Sequence, residues 1–300
     1  MPTPNRRLSV HPALVAIREW QGELTEIRRQ IHRSPEIGFE EHLTGELVAR
    51  QLERFGVDEI HRGIGRTGLV AVVRGLGTDS GRSIGLRADM DALPMQEDND
   101  FAHRSCLPGM MHGCGHDGHT TMLLAAARYL AQTRAFDGTA HLIFQPGEEG
   151  FAGAQAMIDE GLFDRFPCDQ VFAMHNWPAL PAGKIAVRPG PMMAAADRIT
   201  IRIEGRGGHG AHPHLAVDPV AADVFGAHNV VTDLEASMGS EDFSFMLRVR
   251  PGAYFRIGQG GAAAGRMLHN SRYDFNDEIL PLGGALFARL AEKAMPLQAA

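Results

Sequence analysis

MHGCGHDGHTTMLLAAARYL, residues 111–130, changes character halfway along. Its first half packs His112, Cys114, His116, Asp117 and His119 between glycines at 113, 115 and 118. Thiolate, imidazole and carboxylate are the ligand types of a transition-metal site. Glycine lets the backbone turn sharply, so side chains this close in sequence can converge. The second half places Met122, Leu123, Ala126, Tyr129 and Leu130 on one side of a helix predicted over 118–132. The start of that helix would help hold anionic ligands. The plain alternative is a polar loop with chance histidines, and the density of ligand types weighs against it.

Working outward, 13–33 carries Trp20, Leu24, Ile27 and Ile31 at helical spacing until Pro35 stops it. A second helix is expected over 42–55, ending at Gly56. Apolar runs predict strands at 69–73, 83–87, 141–144, 171–174 and 253–257, with a helix near 152–160 and a last one over 278–294. Strands alternating with helices give an α/β fold, with a mostly parallel sheet flanked by helices on both faces. DRITIRIE, 197–204, alternates polar and apolar residues instead, as a half-exposed strand of a second, smaller unit would.

Several chemical motifs follow these predicted strands. FQPGEEG, 144–150, sets Glu148 beside Glu149, a pair in which one carboxylate can bind metal while the other moves protons. By itself it reads as a solvated turn; the histidine cluster changes that reading. MHNWP, 174–178, carries His175, although a lone histidine there is more often structural than a ligand. LHNSRYDFND, 268–277, supplies His269, and a capped loop explains it equally well. In RADMDALPM, 87–95, Asp89 and Asp91 lie two apart and point the same way on an extended chain, suited to orienting a histidine ligand from behind. The C-terminal edge of the strands is where open α/β sheets bind ligands. GIGRTG, 63–68, matches a dinucleotide fingerprint, but a strand follows it where a helix should begin, so it is rejected.

The 300 residues are 44% hydrophobic and 22% charged, with net charge −7, fifteen histidines and three cysteines. No basic excess exists to neutralise phosphates, which argues against a nucleic-acid partner. No run approaches a membrane span, and the N-terminal stretch has no signal-peptide core. Three cysteines make no disulfide framework. A cytoplasmic protein with no membrane partner is expected.

RADMDALPM, MHGCGHDGHT, FQPGEEG, MHNWP, GGHGAHPH, MGSEDFS and LHNSRYDFND follow one another in this order. In them the chain resembles the dinuclear-metal amidohydrolases and peptidases that include hippurate hydrolase, aminoacylases (N-acyl-amino-acid amidohydrolases), indoleacetyl-amino-acid hydrolases and carboxypeptidase G. The resemblance runs over 20–222 and 224–295, closest to the hippurate-hydrolase and N-acyl-amino-acid branch. It implies that Cys114, His116, Glu149, His175 and His269 bind two divalent metal ions, zinc first, with manganese, cobalt or nickel as alternatives. It makes Glu148 the general base and acid, Asp89 and Asp91 a supporting acidic pair, and His209 a lid residue that holds the substrate carboxylate or the oxyanion. The implied activity is hydrolysis of the amide bond of a small N-acyl amino acid by metal-activated water; the family is usually a homodimer. Residues 1–190 and 224–300 would form the catalytic domain, and 191–223 a reduced α+β lid insertion lacking most of the family's lid. A metal-binding but catalytically impaired chain is the alternative this shortening raises.

Overall fold

The computed structural model describes residues 11–188, 193–194, 224–231 and 237–297. The apolar runs pair into one eight-stranded sheet: β1 (Glu59–Ile64), β2 (Gly68–Arg74), β3 (Ser83–Asp89), β4 (Thr139–Gln145), β5 (Gln170–Trp177), β6 (Ile185–Ala186), β8 (Val230–Val231) and β10 (Gly252–Gly258). Their spatial order is β1-β2-β4-β3-β5-β10-β6-β8. The four central strands β4, β3, β5 and β10 are parallel to one another, whereas β1, β2 and β6 pair antiparallel at the flanks. The parallel centre explains the near-continuous burial of β3 and β4, since both faces are covered. β7 (Met193–Ala194) and β9 (Ser237–Ser240) pair in parallel as a separate two-stranded ribbon.

Two apolar layers sandwich the sheet. One holds α1 (Pro12–Glu19), α2 (Gln21–Arg33), α3 (His42–Phe55), α4 (His116–Thr133) and α9 (Leu280–Ala294), with Leu24, Leu52, Leu124 and Phe287 in its core. The other lies beneath α6 (Gly153–Asp159), α7 (Leu162–Arg165) and α8 (Phe243–Val249), around Ile143, Met157, Phe163 and Phe243. The α/β class and the mostly parallel sheet agree with expectation.

The helix expected over 13–33 is two helices, broken where Trp20 caps α1 through its backbone N–H. Trp20 keeps the 3.6-residue apolar spacing in register across the break, so periodicity does not mark it. The strand β1 was not anticipated. It packs as an edge antiparallel to β2, with GIGRTG making the hairpin between them; the glycines therefore serve a turn, as the rejection of a nucleotide site required. The expected strand 197–204, most of the expected lid insertion 191–223, and His209 lie outside the described residues. Among the described residues, no helix is long and apolar enough to cross a membrane.

Polar groups lock α2 under the start of α4. Arg28 is fully buried, with Nε 2.7 Å from Asp277 Oδ1 and Nη1 3.4 Å from Asp117 Oδ2. His32 Nδ1 donates to Asp117 at 2.8 Å, and its Nε2 lies 3.3 Å from Glu97 Oε1. Burial works against a charged imidazole here, but Asp117 and Glu97 outweigh it and raise the His32 pKa to about 9. A folded-state value above the unfolded one, about 6.5, stabilises the fold fully below that lower value and loses the contribution as pH rises through the folded value. At about 1.4 kcal/mol per pKa unit, His32 should remove on the order of 3 kcal/mol between about pH 6 and pH 9.5. Urea midpoints across that range should fall for the native sequence and fall less for His32→Gln; identical slopes would refute the assignment.

Candidate metal centre

The parallel strands deliver their C-terminal ends to one edge of the sheet. β3 ends at Asp89 and continues to Asp91; β4 ends at Gln145, just before Glu148 and Glu149; β5 carries His175 near its end. The loop before α4 brings Cys114 to the same place, the first residue of α4 is His116, and the segment after β10 brings His269. Gly115 makes the first convergence possible. Its φ is +93°, and a Cβ there would collide with the Tyr273 hydroxyl and the Asn176 side-chain oxygen.

Cys114 is the centre of the arrangement. Its Sγ lies 3.3 Å from His175 Nε2 and 3.3 Å from His269 Nε2. His269 Nε2 is also 3.2 Å from Glu149 Oε1, and His116 Nε2 is 3.9 Å from the same oxygen. Donor atoms of Cys114, His116 and His175 form one group within 4.8 Å, and those of Cys114, Glu149 and His269 form another. All five expected ligands therefore meet, with Cys114 common to both groups. Glu148 converges with His116 and Glu149 in a third group of the same size limit.

The histidine rings are oriented from behind. His116 Nδ1 donates to Asp91 Oδ1 at 3.2 Å, and His175 Nδ1 donates to the Asn176 carbonyl at 2.7 Å. Each ring thereby presents Nε2 as a lone-pair donor, the usual tautomer control at a metal. His116 Nε2 is buried with no hydrogen-bond partner, an arrangement that leaves a polar atom unsatisfied unless a cation takes its lone pair. Burial, and then the charge of Glu149, push the Cys114 thiol well above its usual range. A thiolate there needs a cation to compensate it, so loading metal releases a proton. The residues present fit two divalent ions.

Asp89 and Asp91 have different jobs. Asp91 Oδ2 accepts the Glu149 N–H at 2.9 Å while Oδ1 takes the His116 ring, so one carboxylate fixes two expected ligands. Asp89 accepts from His119 Nδ1 at 2.6 Å and from Arg87 at 2.7 Å. Burial opposes its ionisation, but His116, Arg87 and His119 hold it well below the usual carboxylate range. Asp89, His116 and His119 also converge within 4.8 Å. That group is already hydrogen-bonded internally, with His119 Nε2 2.7 Å from the Asn176 side-chain oxygen. His112 is buried with both ring nitrogens unpartnered, and burial lowers its pKa to about 3; among the described residues it joins none of the convergent groups.

His269 has φ +59°, a conformation non-glycine residues avoid, and its N–H is held by the Gly113 carbonyl at 2.8 Å. Such backbone costs of order 1–3 kcal/mol and is retained where surroundings over-determine it.

Sequence reasoning missed the groups around Glu148. Asp242 N–H donates to Glu148 Oε1 at 3.2 Å. Arg87, fully buried, reaches Asp89, Glu241 and Asp242 at 2.7, 3.0 and 3.0 Å. Burial, and then Glu241, push the Glu148 carboxyl well above its ordinary range. The GSEDF stretch holds the two acids, but nothing in its spacing points to Arg87, 155 positions before Asp242.

The sequence profile described as Peptidase family M20/M25/M40 matches residues 85–293. The chain belongs to that family. It is 50% identical over 206 residues to a hippurate hydrolase of Campylobacter jejuni, covering 69% of this chain and 53% of that protein. It is 46% identical over 210 residues to an N-acyl-L-amino acid amidohydrolase of Geobacillus stearothermophilus, covering 69% and 54% respectively. The M20 chain thus spans about half the length of the curated relatives it matches. Among solved structures, the Bacillus subtilis YxeP protein, described as a dinuclear metal binding peptidase from the M20 family, superposes with TM-score 0.80 at 26% identity, covering 93% of this chain and 99% of that one. The resemblance read from the motifs and this membership agree.

Cys114 stands in both donor groups of this M20 chain. Replacing it by Ala should lower bound zinc or manganese, measured by elemental analysis after dialysis, well below the native stoichiometry. Unchanged metal content would remove Cys114 from the ligand set.

Proposed function

We propose that this chain hydrolyses the amide bond of small N-acyl amino acids, with two divalent cations held by Cys114, His116, Glu149, His175 and His269. The observation that carries the reading is the convergence of these five side chains on shared donor groups, with Glu148 beside them. Support also comes from family membership and from relatives named hippurate hydrolase and N-acyl-L-amino acid amidohydrolase.

When bound, the cation pair supplies Lewis acidity, polarising the substrate carbonyl and making water acidic enough to yield a proton near neutrality. The protein's own groups do the rest. Asp91 and the Asn176 carbonyl keep the His116 and His175 rings turned with Nε2 inward. Glu148 takes a proton from the attacking water as its oxygen bonds to the amide carbon. It returns that proton to the amide nitrogen as the carbon–nitrogen bond breaks, giving a carboxylic acid and a free amino acid. A base that must also act as an acid works best with its pKa near the working pH, and the buried surroundings of Glu148 push in that direction. By family resemblance His209 anchors the substrate carboxylate or the developing oxyanion.

Hydrolysis of hippurate and a panel of N-acetyl amino acids, with added zinc or manganese, tests the proposal. Glu148→Gln should cut turnover at least about a hundredfold, the range general acid–base catalysis supplies, with metal content unchanged. Two metals per chain with no turnover of any member of the panel would favour a metal-binding chain without this activity. Metal loss in Glu148→Gln would contradict the assignment of Glu148 as proton carrier.

A further inference from the structure

Glu148 stands on backbone that a helix does not hold. Its helical turn, α5 (Glu148–Phe151), is four residues long, follows Gly147 at φ +59°, and contains non-helical backbone at Glu149 and Gly150. Three carboxylates pin this loop and the start of α6 through N–H groups instead. Glu41 accepts from Gly147 at 2.8 Å, Asp91 from Glu149 at 2.9 Å, and Asp242 from Ala154 at 2.9 Å.

Asp242 differs from the other two because it also touches the Glu148 side chain, through its own N–H at 3.2 Å from Oε1. The Asp242 side chain is itself fixed by the sheet. Gln145 Nε2 donates to both of its oxygens at 2.7 and 3.0 Å, and Arg87 donates to Oδ1 at 3.0 Å. Arg87 and Gln145 are joined in turn, Nε to Oε1, at 2.7 Å. A rigid line therefore runs from β3 and β4 through Asp242 to one oxygen of Glu148.

We propose that Asp242 is the positioning residue for Glu148, occupying Oε1 with its N–H and leaving Oε2 as the oxygen that carries the proton. This rests on the reading of Glu148 as the proton carrier. An N–H donor on Oε1 lowers the basicity of that oxygen and fixes the plane of the carboxylate. Proton transfer then has one oxygen and one direction, which general acid–base catalysis requires for reach and alignment. The MGSEDFS motif gains a role in this way, because its acidic pair joins the arginine of RADMDALPM to the glutamate of FQPGEEG.

Asp242→Asn tests the role. It keeps size and backbone but turns one acceptor oxygen into a donor, facing the Ala154 N–H or the Gln145 and Arg87 donors. With metal-loaded protein, kcat on the best N-acyl amino acid should fall at least about tenfold while KM stays within about twofold and metal content is unchanged. A merely structural role would lower thermal stability without that split. Unchanged kcat, or lost metal with a raised KM, overturns the proposal. The second measurement needs no turnover: hydrogen exchange at the Asp242 amide, native against Glu148→Ala. Removal of the acceptor should speed exchange at least about fivefold; equal rates overturn the proposal whatever the kinetics. If native protein turns over no substrate, the function proposed above fails and the kinetic role fails with it, while the exchange rates still decide whether Asp242 holds Glu148.

Discussion

Asp89, Asp91, Asp117, Glu241 and Asp242 are all buried at one edge of the sheet, and the need to compensate that charge governs the rest of the structure. A buried ion left without a partner is strongly destabilising, by about 3–5 kcal/mol when one member of a pair is removed. Arg87 answers Asp89, Glu241 and Asp242 together. Arg28 and His32 answer Asp117. What remains are Cys114, Glu149, Asp91 and the rings of His116, His175 and His269. Their mutual contacts still leave the buried His116 Nε2 without a hydrogen-bond partner. Arg87 and Arg28 offset part of that buried charge, and negative and lone-pair character is left concentrated where cations would sit.

The division between fixed and adjustable parts follows from the same constraint. Strands supply the groups that orient: Arg87 and Asp89 on β3, Gln145 on β4, Asn176 on β5. Loops after those strands supply most of the donors, because only irregular backbone lets neighbouring side chains turn toward one point. Gly115, Gly147 and His269 all lie at positive φ. Such loops would be loose without further restraint. Hence a carboxylate recurs at each one, accepting an N–H from the Glu148 loop or holding a ligand ring. Preorganisation of this kind avoids reorganising dipoles during reaction.

The fold was largely legible in the sequence, and so were the side chains that converge at the sheet edge. The buried parallel strands carry apolar runs such as 142–144 and 171–174, and the acidic pairs of RADMDALPM and FQPGEEG stand at or just behind the ends of β3 and β4. What stayed hidden has physical reasons. β1, EIHRGI, is an edge strand with a mixed burial pattern and no clean alternation. The break at Trp20 preserves apolar spacing on both sides. The partners of Arg87, Arg28 and His32 lie between 58 and 249 positions away, apart from Asp89, two residues beyond Arg87. Spacing carries no information about contacts created by packing helices and strands. His112 and His119 show the reverse error available to a motif reader, since both stand in the densest ligand-type cluster. One has no hydrogen-bond partner for either ring nitrogen, and the other is committed to Asp89 and Asn176.

The wiring of the centre also separates two capacities usually considered together. Among the described residues, the contacts that orient Cys114, His116, His175, Glu149 and Glu148 are made by groups outside 191–223. The convergence of these side chains is built on the sheet edge and its loops. Substrate capture is a different matter. Holding any substrate in line with an attacking water takes groups on its far side, and excluding bulk water takes a cover. Near-attack geometry can be worth several kcal/mol, so residues that leave metal affinity untouched can still govern the rate. Electrostatic compensation fixes where a cation would sit; enclosure of a substrate would decide how much its binding achieves.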